Sequence, residues 1–384
     1  MHPIILIPGI GGSVLVPKGH EYRPLLNKMV HNNRWVHIYA FTNKEISKWK
    51  KDMSFEFIYD EHGVIKRMIP HNSIVPFDVG GTKGVKDIVP EFLLLPSQYQ
   101  KILDDIFHFR YFQPLCDFAY KRGYKDHKTL LGVPNDFRFI LDPLIRQEFF
   151  KHVKECIERG CLFGGDKAVI VTHSLGGVLL KWFLTTAVTQ DWIDKHIKQW
   201  VCICAPFGGS YQAMRAVCCG DHYVSSLRPY VQEELQRMTG IIMCLPNELA
   251  FDANEELVTT RQNGAITIAN YAKYAGKGRI PFKIWTDLYQ PHLETIAKQI
   301  KVPTHVIYTK NTPTYAHSYA EKWSDVHMQL GTCDGDGIVP AKSLAAYKKI
   351  LDPSATRETI VPNSDHTSLI SNPTTVDIIQ SYLC

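Results

Sequence analysis

The sequence predicts an α/β protein built on a mostly parallel sheet covered on both faces, and three observations carry that prediction. Short β-branched runs such as Ile4-Ile-Leu-Ile7, Ala168-Val-Ile-Val-Thr172 and Trp200-Val-Cys-Ile-Cys204 alternate with stretches of helical periodicity. Glycine-rich or polar loops follow those runs, at 8–13, 205–210, 331–340 and 363–368. One run passes into a helix through a single serine: Ala168–Thr172 reads as a buried strand, and Leu175–Leu184 places Val178, Leu179 and Phe183 at helical spacing.

Taken in order, residues 1–30 begin the core. Ile4–Ile7 suits a buried central strand and runs into Pro8-Gly-Ile-Gly-Gly-Ser13. A dinucleotide fingerprint starting at Gly9 fails, because its third glycine would fall on Val14. The other reading is a loop whose backbone N–H groups face a developing negative charge. Its donors are the amides of Ile10 and of Leu175, the residue after the serine.

Residues 31–90 read as a lid or membrane-binding insertion. From Arg34 to Lys51 aromatics mix with basic residues, a composition that fits a membrane interface and equally a solvated insertion with a few anchoring aromatics. Residues 91–211 continue the core. Here Tyr99–Tyr120 suggests a helical pair broken at Pro114, and Gly132–Phe139 a loop at a strand end. Arg146–Arg159 is predicted as an amphipathic helix stopped by Gly160, with Phe149, Phe150, Val153, Cys156 and Ile157 inward. Residues 212–300 are irregular in period and read as a cap inserted over the sheet. The core resumes at 301–384 with strands at 304–308 and 358–361. Asn372-Pro373 then opens a closing helix with Val376, Ile379 and Leu383 on one face.

Ser174 stands where a strand turns sharply into a helix, with Gly176 and Gly177 leaving room for the helix to start beside the strand. This is the nucleophile elbow of the α/β-hydrolase fold, although its usual first glycine is Thr172, and a helix N-cap is the competing reading of the serine. A serine hydroxyl is a weak nucleophile until a base takes its proton and a carboxylate orients that base, and in this fold the chain order is serine, acid, histidine. Asp336 is the expected acid, with Asp334 second. The Asp-Gly-Asp-Gly run also reads as a turn or calcium loop, but an EF-hand pattern from Asp334 fails at Ile338 and Ala345. His366, in a short loop between a last strand and a last helix, is the expected base. His173 is read as structural, because the elbow presents only the serine.

Composition narrows the class further. A formal net charge of +5 over 384 residues does not suggest nucleic acid and leaves anionic membrane surfaces open. No apolar run approaches the roughly 18 residues of a membrane span, and Met1-His-Pro3 leaves no room for a cleavable leader. The ten cysteines include no C-x-x-C and none before Cys116. Such scatter reads as reduced thiols in an intracellular, cytoplasmic protein and not as a metal site, and the aromatic and basic stretch within 31–90 leaves peripheral membrane association open. The residues give no cofactor motif.

Five segments together resemble the lecithin:cholesterol acyltransferase family, which also includes lysosomal phospholipase A and phospholipid:diacylglycerol acyltransferases. They are Ile5-Leu-Ile-Pro-Gly-Ile-Gly-Gly-Ser13, Thr172-His-Ser-Leu-Gly-Gly177, Ala205-Pro-Phe-Gly-Gly-Ser210, Asp334-Gly-Asp-Gly-Ile-Val339 and Asp365-His-Thr-Ser-Leu-Ile-Ser-Asn-Pro-Thr-Thr-Val376. The resemblance implies an α/β-hydrolase core with a membrane-binding lid and a cap. It implies Ser174 as nucleophile, Asp336 as acid, His366 as base, and oxyanion donors on the backbones of Ile10 and Leu175. It further implies a serine O-acyltransferase that moves a fatty acyl group from phospholipid to a lipid alcohol or to water, the latter being phospholipase A activity. A non-catalytic lipid-binding protein on the same fold is the alternative from another class. The chain departs from the family where secreted members carry an early lid disulfide, since it has no cysteine there. It also has Asn135-Asp-Phe-Arg138 where Tyr-Asp-Trp-Arg is usual.

Overall fold

The computed structural model describes residues 1–18, 43–72, 74–87, 110–220, 228–270, 273, 282–322 and 329–383. Six parallel strands form the central sheet, in the spatial order Thr356–Ile360, Thr304–Tyr308, Ile197–Ile203, Ala168–His173, Ile4–Ile7, Leu130–Gly132. Every residue of Ile4–Ile7 and Ala168–His173 is buried, as the continuous apolar runs of a sheet covered on both faces require. This is the α/β-hydrolase architecture. Ile4–Ile7 has the second of these strands in chain order on one side and the third on the other, so the connection reverses direction there. The loop after Ile7 and the turn after His173 therefore leave the same sheet edge side by side, at the kind of switch point where open α/β sheets bind ligands.

The helix expected over Arg146–Arg159 runs from Pro143 to Gly164. Gly160 does not stop it. A Cβ there would lie 3.1 Å from Pro3 Cβ and 3.3 Å from the Cδ1 atoms of Ile5 and Leu131, so the glycine lets the helix settle onto the sheet. The end comes at Gly165, whose φ of 71° is left-handed and whose N–H returns to the Cys161 carbonyl. Pro114 breaks nothing among the described residues. It sits in the first turn of Gln113–Lys121, where a missing N–H costs no hydrogen bond; residues 99–109 lie outside the described ones. The closing helix begins as expected, with the Asn372 side chain accepting from the Thr374 amide and Pro373 in its first turn.

Within 31–90, residues 31–42, 73 and 88–90 are outside the described set. The remainder comprises a helix, Asn43–Met53, a hairpin of Phe55–Tyr59 with Ile65–Pro70, and Ile74–Pro76 paired to Leu15–Pro17. Trp49, Met53, Phe55 and Met68 are buried in one core with the central sheet. Asp142, itself fully buried, accepts from the Met68 amide at 2.6 Å and from Arg67 Nε at 2.9 Å, tying the hairpin to the long helix that it caps.

A second sheet has the order Gly264–Thr267, Glu256–Thr260, Thr312–Ala320, Gln329–Gly335. Two of its strands come from 212–300 and two from beyond 300, so this sheet joins the segment expected to be a cap to chain expected to be core. Among the described residues no helix is long and apolar enough to cross a membrane.

Candidate active site

Ser174 occupies the turn between the strand Ala168–His173 and the helix Leu175–Thr186, with φ 53° and ψ −128°. A non-glycine residue in that region carries strain of about 1–3 kcal/mol, which surrounding structure must enforce. Here the Ser174 amide donates to the Ile203 carbonyl at 2.9 Å, and the Gly177 amide returns to the Ser174 carbonyl at 3.0 Å. The Ser174 side chain makes no cap bond to its helix, so the competing cap reading fails locally.

Each glycine after the serine makes room for backbone or a neighbouring side chain. A Cβ on Gly176 would stand 2.4 Å from the Ile7 carbonyl oxygen, and one on Gly177 would stand 2.6 Å from Ala205 Cβ. Thr172, the position where the usual pattern has glycine, is accommodated by a hydrogen bond. Its Oγ1 accepts from Trp200 Nε1 at 2.8 Å, on the adjacent strand.

Two loops from distant parts of the chain meet the hydroxyl. His366 Nε2 lies 3.0 Å from Ser174 Oγ, across 192 positions of sequence. His366 Nδ1 lies 2.7 Å from Asp336 Oδ2. The carboxylate is the acceptor there, so Nδ1 carries the proton and Nε2 is left to accept from the serine. Asp336 is fully buried, and its Oδ1 accepts from the amides of Ile338 at 3.0 Å and Val339 at 2.7 Å. Asp334 is not part of this series. It is exposed, and its carboxylate accepts from the Asn311 amide at the end of the neighbouring strand.

The glycine loop closes over the serine from the other side. A Cβ on Gly9 would lie 2.7 Å from Ser174 Cβ and 3.2 Å from its Oγ. The amides of Ile10 and Leu175 have no acceptor among the described residues. Ile10 follows Gly9 in that loop, and Leu175 opens the helix after Ser174. Asn135 steadies the loop: its Nδ2 donates to the Pro8 carbonyl at 2.9 Å, and its amide donates to Ser13 Oγ at 2.8 Å. The neighbouring Asp136 and Arg138 form a buried pair at 2.7 Å, and Arg138 also donates to the carbonyls of Asp52 and Ile74, joining this segment to the helix and strands at 43–76.

Sequence reasoning missed three residues around the site. Cys204, just past its strand, has φ 49° and faces Asp336; burial and that carboxylate push its thiol well above the ordinary value, so it stays a neutral donor. Ser210 Oγ donates to the Ile338 carbonyl and pins the acid loop. Tyr111 is buried against the glycine loop, where a Cβ on Gly12 would meet its Cζ at 2.7 Å, and its hydroxyl accepts from the Gly9 amide at 2.9 Å. No periodicity marks these three, because each acts through a contact distant in sequence. His173, expected to be structural, bonds to the Tyr111 hydroxyl through Nδ1, and its ring reaches the histidine loop: Nε2 lies 2.8 Å from the His366 carbonyl oxygen.

Known proteins are similar over these segments. The family model described as "Lecithin:cholesterol acyltransferase" matches residues 100–329, a span that includes Ser174 and ends before Asp336 and His366. "Lecithin-cholesterol acyltransferase-like 1" of Arabidopsis thaliana is 27% identical over 408 residues, covering 97% of this chain and 87% of that protein. "Lysosomal phospholipase A and acyltransferase" of Homo sapiens is 25% identical over 282 residues, covering 71% of this chain and 66% of that one. "Phospholipase A(1) LCAT3" of Arabidopsis thaliana is 22% identical over 440 residues, covering 99% of this chain and 90% of that one.

Proposed function

Because the chain belongs to the lecithin:cholesterol acyltransferase family, a family of lipid acyltransferases and phospholipases, we propose that it takes a fatty acyl group from phospholipid onto Ser174 and passes it to a lipid alcohol or to water. The observation that carries this reading is the unbroken series from Ser174 Oγ through the His366 ring to Asp336, at 3.0 and 2.7 Å.

The steps follow from that geometry. Ser174 Oγ attacks the ester carbonyl carbon while His366 Nε2 takes its proton, and Asp336 stabilises the imidazolium that forms. The amides of Ile10 and Leu175 receive the oxyanion; such preorganised donors are worth about 3–4 kcal/mol each where single ones have been removed from other enzymes. When the tetrahedral adduct collapses, His366 returns the proton to the departing lysophospholipid oxygen, leaving an acyl-serine. The acceptor hydroxyl then gives its proton to His366 as it attacks, and the reverse collapse frees Ser174.

The membrane surface is the partner this reading needs. Supporting it, the hairpin of the lid exposes the apolar side chains Ile58, Tyr59, Val64 and Ile69, a surface suited to a lipid interface. The lid at 31–90 and the cap at 212–300, completed by the strands at 312–335, are assigned on this reading to lipid binding, around a core that holds the chemistry.

The test is Ser174→Ala on labelled phosphatidylcholine vesicles, with and without a sterol or diacylglycerol. Release of acyl groups undiminished by that change would overturn the mechanism. In the unaltered protein a new ester marks the transferase outcome and free fatty acid alone marks the phospholipase. A folded protein that a fluorophosphonate fails to label would mark the non-catalytic alternative.

A further inference from the structure

Four groups that no step above uses form a continuous line beneath the site. The Gly9 amide donates to the Tyr111 hydroxyl oxygen at 2.9 Å; that hydroxyl contacts His173 Nδ1; and His173 Nε2 lies 2.8 Å from the His366 carbonyl oxygen. The proton positions follow from the partners. A carbonyl only accepts, so His173 Nε2 carries the hydrogen. Burial holds the His173 ring well below its ordinary range, so it is neutral and Nδ1 is a bare acceptor. Tyr111, whose phenol burial pushes up, remains protonated and donates to Nδ1. Every donor then has one acceptor, and the line runs in one direction from the glycine loop to the base.

We propose that Tyr111 and His173 are positioning residues that lock the oxyanion loop and the His366 loop into one mutual geometry around Ser174. Both side chains are nearly closed to solvent, at 6% and 3% exposure, so neither has water as a substitute partner. His366 is thereby fixed at both backbone atoms, its N–H donating to the Asp336 carbonyl at 2.8 Å and its carbonyl accepting from His173. The rings of His173 and His366 also pack, with centroids 4.8 Å apart. His173 adjoins Ser174 in the chain, so the elbow that carries the nucleophile also holds the base at the correct distance. The proposal rests on reading Ser174 and His366 as nucleophile and base.

The experiment measures hydrolysis of a soluble chromogenic ester per serine titrated with a fluorophosphonate, beside the melting temperature. Titration removes misfolded molecules from the denominator, so a purely structural role leaves turnover per titrated serine unchanged. His173→Phe is expected to lower it by about 10- to 100-fold with KM within about twofold, since small displacements of reacting groups have costs of that order. His173→Gln, whose amide reaches the Nε2 position, is expected to recover most of the loss. Tyr111→Phe is expected to cost about tenfold alone and about twofold or less in the His173→Phe background, because contacting members of one network are not additive.

Unchanged turnover per titrated serine in His173→Phe, or full additivity of the pair, would overturn the proposal. Should His173→Phe fail to fold, Tyr111→Phe and its combination with His173→Gln decide the matter in the same way. Full turnover in Ser174→Ala would instead overturn the underlying reading of the nucleophile, so the two failures are distinguishable.

Discussion

His366 is bound to Asp336 twice: its main-chain N–H donates to the Asp336 carbonyl at 2.8 Å, and its ring Nδ1–H donates to the same residue's carboxylate at 2.7 Å. The first bond holds the loop and the second holds the ring, and a substitution can separate them. Asp336→Asn keeps the main-chain bond and an oxygen for the amides of Ile338 and Val339. It turns an NH2 toward Nδ1–H, however, and two donors then face each other. Turnover is expected to fall by about 10⁴-fold, the cost of the same change in a serine protease, while thermal unfolding stays near that of the parent. A loss under tenfold would refute Asp336 as the orienting acid. Asp334→Asn is the control, with activity expected to stay within about twofold.

Gly9 is required by Ser174 itself. With a Cβ at 2.7 Å from Ser174 Cβ and 3.1 Å from the His173 carbonyl oxygen, alanine at position 9 must displace the loop. That movement carries the Ile10 amide away from the oxyanion. Gly9→Ala is expected to lower kcat by about 10²-fold or more, the cost of losing one oxyanion donor. KM for a soluble ester should change little, since the ground-state carbonyl gains little from those donors. Equal kcat in the variant would remove Ile10 from the oxyanion assignment.

What could be read from the chain beforehand was local chemistry. The strand–serine–helix join at 168–184 and the asparagine–proline start at 372–373 are short-range patterns, each with its own stereochemical reason, and the order of Ser174, Asp336 and His366 follows a rule of the fold applied to loops found one by one. Contacts that cross the chain left no such trace. Gly160 reads as a helix stop because glycine disfavours helix interiors, but close packing on Pro3 and Leu131 outweighs that preference. Thr172 looks too large for an elbow until Trp200 is placed beside it. Tyr111 and Cys204 carry no motif, and the pairing of Thr312–Ala320 with Glu256–Thr260 joins segments no periodicity connects.

If the hairpin of Phe55–Tyr59 with Ile65–Pro70 meets the lipid surface as proposed, it should separate interfacial from soluble activity. Glu56 pairs with Ile69 and Ile58 with Arg67, so the exposed Ile58 and Ile69 share one face of the ribbon. Neither touches the serine's hydrogen-bond series. Ile58→Asp with Ile69→Asp is expected to lower turnover on phosphatidylcholine vesicles at least about tenfold, because each buried side chain of that size contributes roughly 1.5–3 kcal/mol. Turnover of a soluble ester should remain within about twofold. Equal losses on both substrates would mean that the hairpin supports the fold and not the interface.

Lys181 offers a stability signature separate from activity. It lies on the helix after Ser174, fully buried, with Nζ donating to Thr185 Oγ1 at 2.9 Å and to the Lys298 carbonyl at 2.6 Å. Burial lowers its pKa to about 7. Of its charged or titratable neighbours, Arg146 stays cationic and His292, held at about 3 by burial, stays neutral across the relevant range. Between about 7 and the ordinary lysine value the unfolded chain holds a proton that the folded chain lacks, so stability rises with pH through that window. Below 7 both states are charged and the full cost of burial is present. Lys181→Met removes the titration while keeping the volume. The melting temperature of the variant relative to the parent is therefore expected to be higher at pH 6 than at pH 9, by a few degrees for each 1–2 kcal/mol in a chain of this size. The same difference at both pH values would show that Lys181 enters the folded state without losing its proton.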